Sequence, residues 1–85
     1  MKYALLINPK VEKVLSKIEA KMALKIRDKI RELADDPRPA SSKKLEGHEN
    51  AYRKRVGDYR IIYEIYAQKV LILIVNIGHR KDIYE

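Results

Sequence analysis

Between Ala51 and Arg60 the chain reads Ala-Tyr-Arg-Lys-Arg-Val-Gly-Asp-Tyr-Arg, with cations on both sides of a Gly-Asp pair. Glycine at the first central position suits a two-residue hairpin turn. With Gly57-Asp58 as that turn, Val56 pairs with Tyr59, Arg55 with Arg60, Lys54 with Ile61 and Arg53 with Ile62. Strand side chains alternate between faces, so Arg53, Arg55 and Arg60 share one face and Lys54 points to the other. Tyr59, Ile61, Tyr63 and Ile65 then form a set facing a helical layer. Two arginines directly opposed across strands repel each other unless an anion sits between them. Three guanidiniums on one face therefore describe a phosphate site. The plainer reading is a solvated basic face, with arginine stems covering the sheet and Glu64 as counter-ion.

Further along, Gly78-His79-Arg80 follows an apolar run, and Tyr84 lies four residues beyond Arg80. An antiparallel return of that run beside Tyr59–Tyr66 brings His79 and Arg80 toward Arg55 and Arg60, with Tyr84 folding back over the same corner. Such a set, with no acidic pair to hold a metal, suits a phosphodiester: arginine forks bind the non-bridging oxygens and tyrosine stacks on a base. Cleaving RNA without a metal takes three things: a 2′-OH that loses its proton, stabilisation of the pentavalent phosphate, and neutralisation of the 5′-oxygen that leaves. Arginine supplies the second by fixed charge but is a poor proton carrier. His79 has the side chain that ordinarily titrates near neutrality, and Tyr84, Lys54 and Glu64 are further candidates for proton transfer or orientation. Equally, His79 fits as a residue that orients the tail, and Tyr84 as a terminal aromatic packed on the sheet.

These groups need a scaffold, and 85 residues provide material for one domain spanning 1–85. A two-domain cofactor enzyme is excluded on size, and no cofactor or metal is expected. Apolar residues make up 46% of the chain, enough for a small core, and the absence of cysteine removes disulfides and thiolate metal sites from consideration. Nineteen Lys and Arg against twelve Asp and Glu leave a net charge of +7, so the first expected partner is an anion. The longest nearly pure apolar run, Val70–Val75, is too short to span a membrane. Met1–Ile7 lacks the length of a signal-peptide core, so cytoplasm is the expected compartment.

Lys2–Ile7 reads as a strand. Asn8-Pro9 offers a helix cap followed by proline at the first helical position, where its missing N–H costs nothing. Val11, Val14, Leu15 and Ile18 make one apolar helix face, and Met22, Ile26, Ile30 and Leu33 a second. Two helices, bent around Glu19 to Lys21, therefore run from Asn8 to about Ala34, where the Asp-Asp-Pro at 35–37 stops them. A loop continues to about Asn50. Ala51–Val56, Tyr59–Tyr66 and Val70–Ile77 are three strands joined by short, hence antiparallel, connections. Strand one joins only through a helical crossover. The expected fold is α+β, β-α-α-β-β-β, a mostly antiparallel sheet with two N-terminal helices on one face.

At these residues the chain resembles the RelE family of bacterial and archaeal toxins, within the RelE/ParE superfamily. The resemblance rests on Leu45-Glu46-Gly47 after a proline-containing loop, on the string Tyr52–Tyr63, and on Gly78-His79-Arg80 followed by Ile83-Tyr84. It covers essentially the whole chain, and its central string is specific. It implies the RelE-like fold and a toxin that cleaves mRNA in the ribosomal A site by 2′-OH attack, inhibiting translation under stress. It also implies an acidic cognate antitoxin, RelB-like or similar, in a toxin–antitoxin hetero-oligomer, with ribosome and mRNA as the other partners. Carried over by motif, the catalytic positions are Arg53, Arg55, Arg60, Arg80 and Tyr84. One departure is plain: well-studied family members carry Lys where this chain has Arg53 and Arg55, so the general base is open among His79, Tyr84 and a slower arginine-mediated transfer. Lys13, Lys17, Lys21, Lys25 and Lys29 recur every four residues. They read either as contacts to ribosomal RNA backbone or as a solvated helix face. Two alternatives stand beside the nuclease: a ParE-like toxin that inhibits DNA gyrase by binding, and an RNA-binding toxin fold that has lost activity.

Overall fold

The structure, a computed structural model, describes residues 2–79. The chain opens with strand β1 (Ala4–Ile7), followed by helices α1 (Pro9–Lys17) and α2 (Ala20–Asp35). Strands β2 (Ser42–Lys44), β3 (Ala51–Val56), β4 (Tyr59–Tyr66) and β5 (Leu71–His79) follow, with a 3₁₀ turn at Ala67–Lys69 between the last two. The strands form one sheet in the order β1-β5-β4-β3-β2. Only β1 and β5 pair in parallel, as a helical crossover requires.

Local chemistry sets the helix boundaries. The Asn8 side chain accepts the Lys10 N–H at 3.0 Å, and Pro9 occupies the first helical position. α1 ends where Ile18 turns extended, slightly ahead of the bend expected from the sequence around Glu19 to Lys21. The two helices bury Val11, Leu15, Ile26, Ile30 and Leu33 against Val56, Ile61, Tyr63, Ile65, Ile72, Ile74 and Ile77 of the sheet. Each such side chain contributes about 1.5–3 kcal/mol by leaving water, which makes this one-sided layer the source of stability. The opposite face carries no helix from the described residues, and Leu6 stands 55% exposed. No described helix is long and apolar enough to cross a membrane.

Four local features depart from the sequence reading or refine it. β2 lies within the stretch expected to be loop up to about Asn50. A three-residue strand leaves no period to detect, and it is held by pairing with β3 and by Ser42, whose N–H and hydroxyl both donate to Pro39 O, at 2.9 and 2.8 Å. Val70, expected to open the last strand, instead sits at φ +50°, ψ +50°. That conformation costs a β-branched residue about 1–2 kcal/mol, and it presents Val70 O to the Ala4 N–H at 2.9 Å, where the β1–β5 pairing begins. Gly57 takes φ +59°, as the expected hairpin turn demands, and every expected β3–β4 pair is present. Finally, β5 carries a bulge: Tyr63 faces Ile74 but Ile62 faces Asn76, leaving Val75 as the extra residue. Ile74 and Ile77, three apart, therefore both point into the core, and every side chain after Val75 changes face relative to simple alternation.

Candidate functional site

The open face of the β2-β3-β4 end of the sheet gathers the cations. Arg53 and Arg55 alternate with the core-facing Tyr52, Lys54 and Val56, and Arg60 alternates with the core-facing Tyr59 and Ile61. Together with Ser41 and Lys43, Arg53, Arg55 and Arg60 line a cleft of about 270 Å³. Arg60 lies opposite Arg55 on one side and opposite Gly78, which has no side chain to fill the space, on the other. Its Nε is shielded from solvent, whereas Arg55 is exposed and its Nε donates to Gly57 O at 3.2 Å. Positive charge is thus concentrated around a small depression, with Arg60 partly shielded among its cations. Low local dielectric strengthens whatever that cation binds.

His79 does not join the arginines. The bulge at Val75 places it opposite Tyr59 on the helix-facing side, where the two rings meet edge to face with centroids 5.5 Å apart. There it lines a separate groove of about 380 Å³ with Val14, Lys17 and Ile18 of α1. Lys54 also faces the helices, as the hairpin register requires, and its ammonium donates to Ser41 Oγ. Glu64 shares the arginine face, but it sits four residues along β4 from Arg60, roughly 13 Å at strand pitch, and accepts the Tyr66 hydroxyl at 2.6 Å. That bond holds the Tyr66 phenol above its usual range. Arg80 and Tyr84 lie outside the described residues.

The lysine row is divided between two helices. Lys13 and Lys17 belong to α1 and Lys21, Lys25 and Lys29 to α2, and the break at Ile18-Glu19 interrupts the four-residue period. Lys29 is half-buried and pairs with Glu32 at 3.4 Å, while the other four are exposed. Among the described residues no group of three His, Cys, Asp or Glu side chains gathers as metal ligands.

The hairpin is supported from its helix side by an aromatic stack. Tyr63 is buried, its hydroxyl donates to Pro37 O at 2.7 Å, and burial pushes its phenol above the usual range. Tyr52 stacks on it with centroids 6.0 Å apart. Arg38 covers Tyr52 in turn, donating from Nε to its hydroxyl at 3.2 Å. This packing fixes β3, and with it the aim of Arg53 and Arg55. Lys43 and Ser41 are the cleft residues that sequence reasoning missed, because they lie on or beside the short edge strand it did not find.

Residues 5–84 match the ParE toxin family of the type II toxin–antitoxin system parDE. The chain belongs to that family. The toxin is also similar in structure to a chain of the archaeal RelE–RelB complex from Pyrococcus horikoshii, at 28% identity over 98% of this chain and 100% of the other, with a TM-score of 0.85. The RelB–RelE complex from Methanococcus jannaschii matches at 26% identity over 94% and 99% of the two chains, with a TM-score of 0.75. The RelBE2 complex from Mycobacterium tuberculosis, at 20% identity over 96% and 95% and a TM-score of 0.83, shares the fold. No curated protein sequence matches the toxin. The α+β architecture expected from the sequence, two helices on one face of a mixed sheet, is thus that of solved RelE toxins.

Proposed function

We propose that this toxin is a metal-independent endoribonuclease that cuts mRNA in the ribosomal A site and so halts translation. The observation that carries the reading is the convergence of Arg53, Arg55 and Arg60 on one cleft, with Arg55 and Arg60 directly opposed. Opposed guanidiniums weaken the sheet unless an anion neutralises them, and a phosphodiester is the anion that arginine forks fit best. In the reaction the 2′-oxygen loses its proton and bonds to the adjacent phosphorus. The P–O5′ bond then breaks, leaving a 2′,3′-cyclic phosphate and a 5′-hydroxyl. The guanidiniums hold the non-bridging oxygens as charge builds on them. Arg80 and Tyr84 complete the set by motif, Tyr84 stacking on a base. Likeness to archaeal RelE at 28% identity supports this assignment. The same likeness supports a RelB-like antitoxin as partner, since the archaeal relatives were solved as RelE–RelB complexes. An acidic antitoxin segment complements the +7 charge.

A second reading, inhibition of DNA gyrase without cleavage, draws on the ParE description of the family itself. Primer extension on one mRNA, with and without translating ribosomes, beside a gyrase supercoiling assay, separates the two. Cuts phased to codons and dependent on ribosomes are the expected result. Loss of supercoiling with intact mRNA would replace the nuclease by the gyrase inhibitor.

A further inference from the structure

Arginine fixes charge but does not hand over protons at neutral pH, so the cleft as read from Arg53, Arg55 and Arg60 lacks a group to protonate the oxygen that leaves. The edge strand supplies one. Lys43 lies directly opposite Arg53 in the β2–β3 ladder, so the two side chains share a face, and Lys43 lines the same cleft as Arg55 and Arg60. Its neighbours on β2 are excluded by alternation: Lys44 lies opposite Tyr52, on the helix-facing side. Lys54, opposite Ile61, is turned the same way as Lys44. The register of β2 is pinned at both ends, by Ser42 bonding to Pro39 O and by the Leu45 N–H donating to Ala51 O at 2.9 Å. The hydroxyl-bearing residue of the cleft, Ser41, accepts a hydrogen bond from Lys54.

Resting on the nuclease reading, we infer that Lys43 is the catalytic proton donor to the leaving 5′-oxygen. Lysine ordinarily carries its proton at neutral pH, and an alkoxide leaving group gains more from a donor than any other atom in the reaction. As the 2′-oxygen bonds to phosphorus and its proton passes to water, the P–O5′ bond breaks. The Lys43 ammonium then transfers one proton to O5′, and the neutral amine recovers a proton from solvent. The net change is an intramolecular transesterification that splits one strand into a cyclic phosphate end and a free 5′-hydroxyl end, with no other reactant.

The test is single-turnover cleavage on mRNA-programmed ribosomes by wild type, Lys43→Arg and Lys43→Met. Two substrates are compared: one natural, and one with sulfur in place of the bridging 5′-oxygen, whose thiolate leaves without protonation. Both variants are expected to cut natural mRNA about 100-fold or more slowly, the usual contribution of general acid–base catalysis. Both should cut the sulfur substrate at the wild-type rate, and Lys43→Arg should bind ribosomes as the wild type does. Near-normal cleavage of natural mRNA by Lys43→Arg would reduce Lys43 to a charge and overturn the inference. So would a defect of equal size on both substrates, which marks a structural role. A wild type that cuts neither substrate removes the nuclease reading itself, an outcome distinct from both.

Discussion

Burial within the cleft ranks its arginines, and the ranking is open to refutation. Arg60 stands on β4, an interior strand, with its Nε shielded from solvent and glycine opposite it. Arg55 stands exposed near the hairpin end and donates to Gly57 O. A charge-assisted hydrogen bond made in a shielded position is worth about 1.5–3 kcal/mol, whereas an exposed ion pair is worth roughly 0.2–1 kcal/mol. At about 0.59 kcal/mol for RT, Arg60→Gln should therefore slow mRNA cleavage about 10- to 150-fold, and Arg55→Gln only about 1.5- to 5-fold. The assay is single-turnover cleavage on programmed ribosomes, with circular dichroism and a thermal melt to establish that each variant folds. Because the two residues face each other across one ladder step, sequence position alone gives no reason for a difference. An Arg55 variant impaired as much as the Arg60 variant, both being folded, would show that burial does not govern the cleft.

Two further outcomes test the scaffold. Gly57→Ala should destabilise the toxin, because φ +59° costs an L-residue about 1–2 kcal/mol and the new methyl meets Met22 Cε at 3.2 Å. The thermal midpoint should drop by about 4–16 °C, and an unchanged melt would contradict the turn. Tyr63→Phe removes the hydroxyl bonded to Pro37 O and should cost about 0.5–1.5 kcal/mol in urea unfolding near pH 8. Burial raises the Tyr63 pKa in the fold, while the unfolded phenol ionises near pH 10. Its contribution is therefore fully present below about pH 10 and is lost as pH rises through the folded value. Urea midpoints measured from pH 8 to 11 should fall less steeply for Tyr63→Phe than for the wild type, and parallel slopes would refute the assignment.

The hairpin was legible in the sequence because its determinants are local. A glycine fixes the turn, the turn fixes the register, and strand alternation then puts Arg53, Arg55 and Arg60 on one face. The helices were legible for a similar reason: a cap, a proline and two apolar stripes at helical spacing lie within the segments they define. The family resemblance lay in the same string of residues, and the match over residues 5–84 agrees with it.

What the sequence could not supply was decided by contacts between distant segments. Ser42–Lys44 is a strand only because β3 offers it an edge, so Lys43 enters the cleft through pairing rather than through any pattern of its own. The bulge in β5 answers to the core, which takes both Ile74 and Ile77 against the helices and leaves Val75 unmatched. That one extra residue turns His79 away from the arginines and against Tyr59. Face assignment has a period of two and is local until a bulge intervenes, and then packing of the whole core sets the phase.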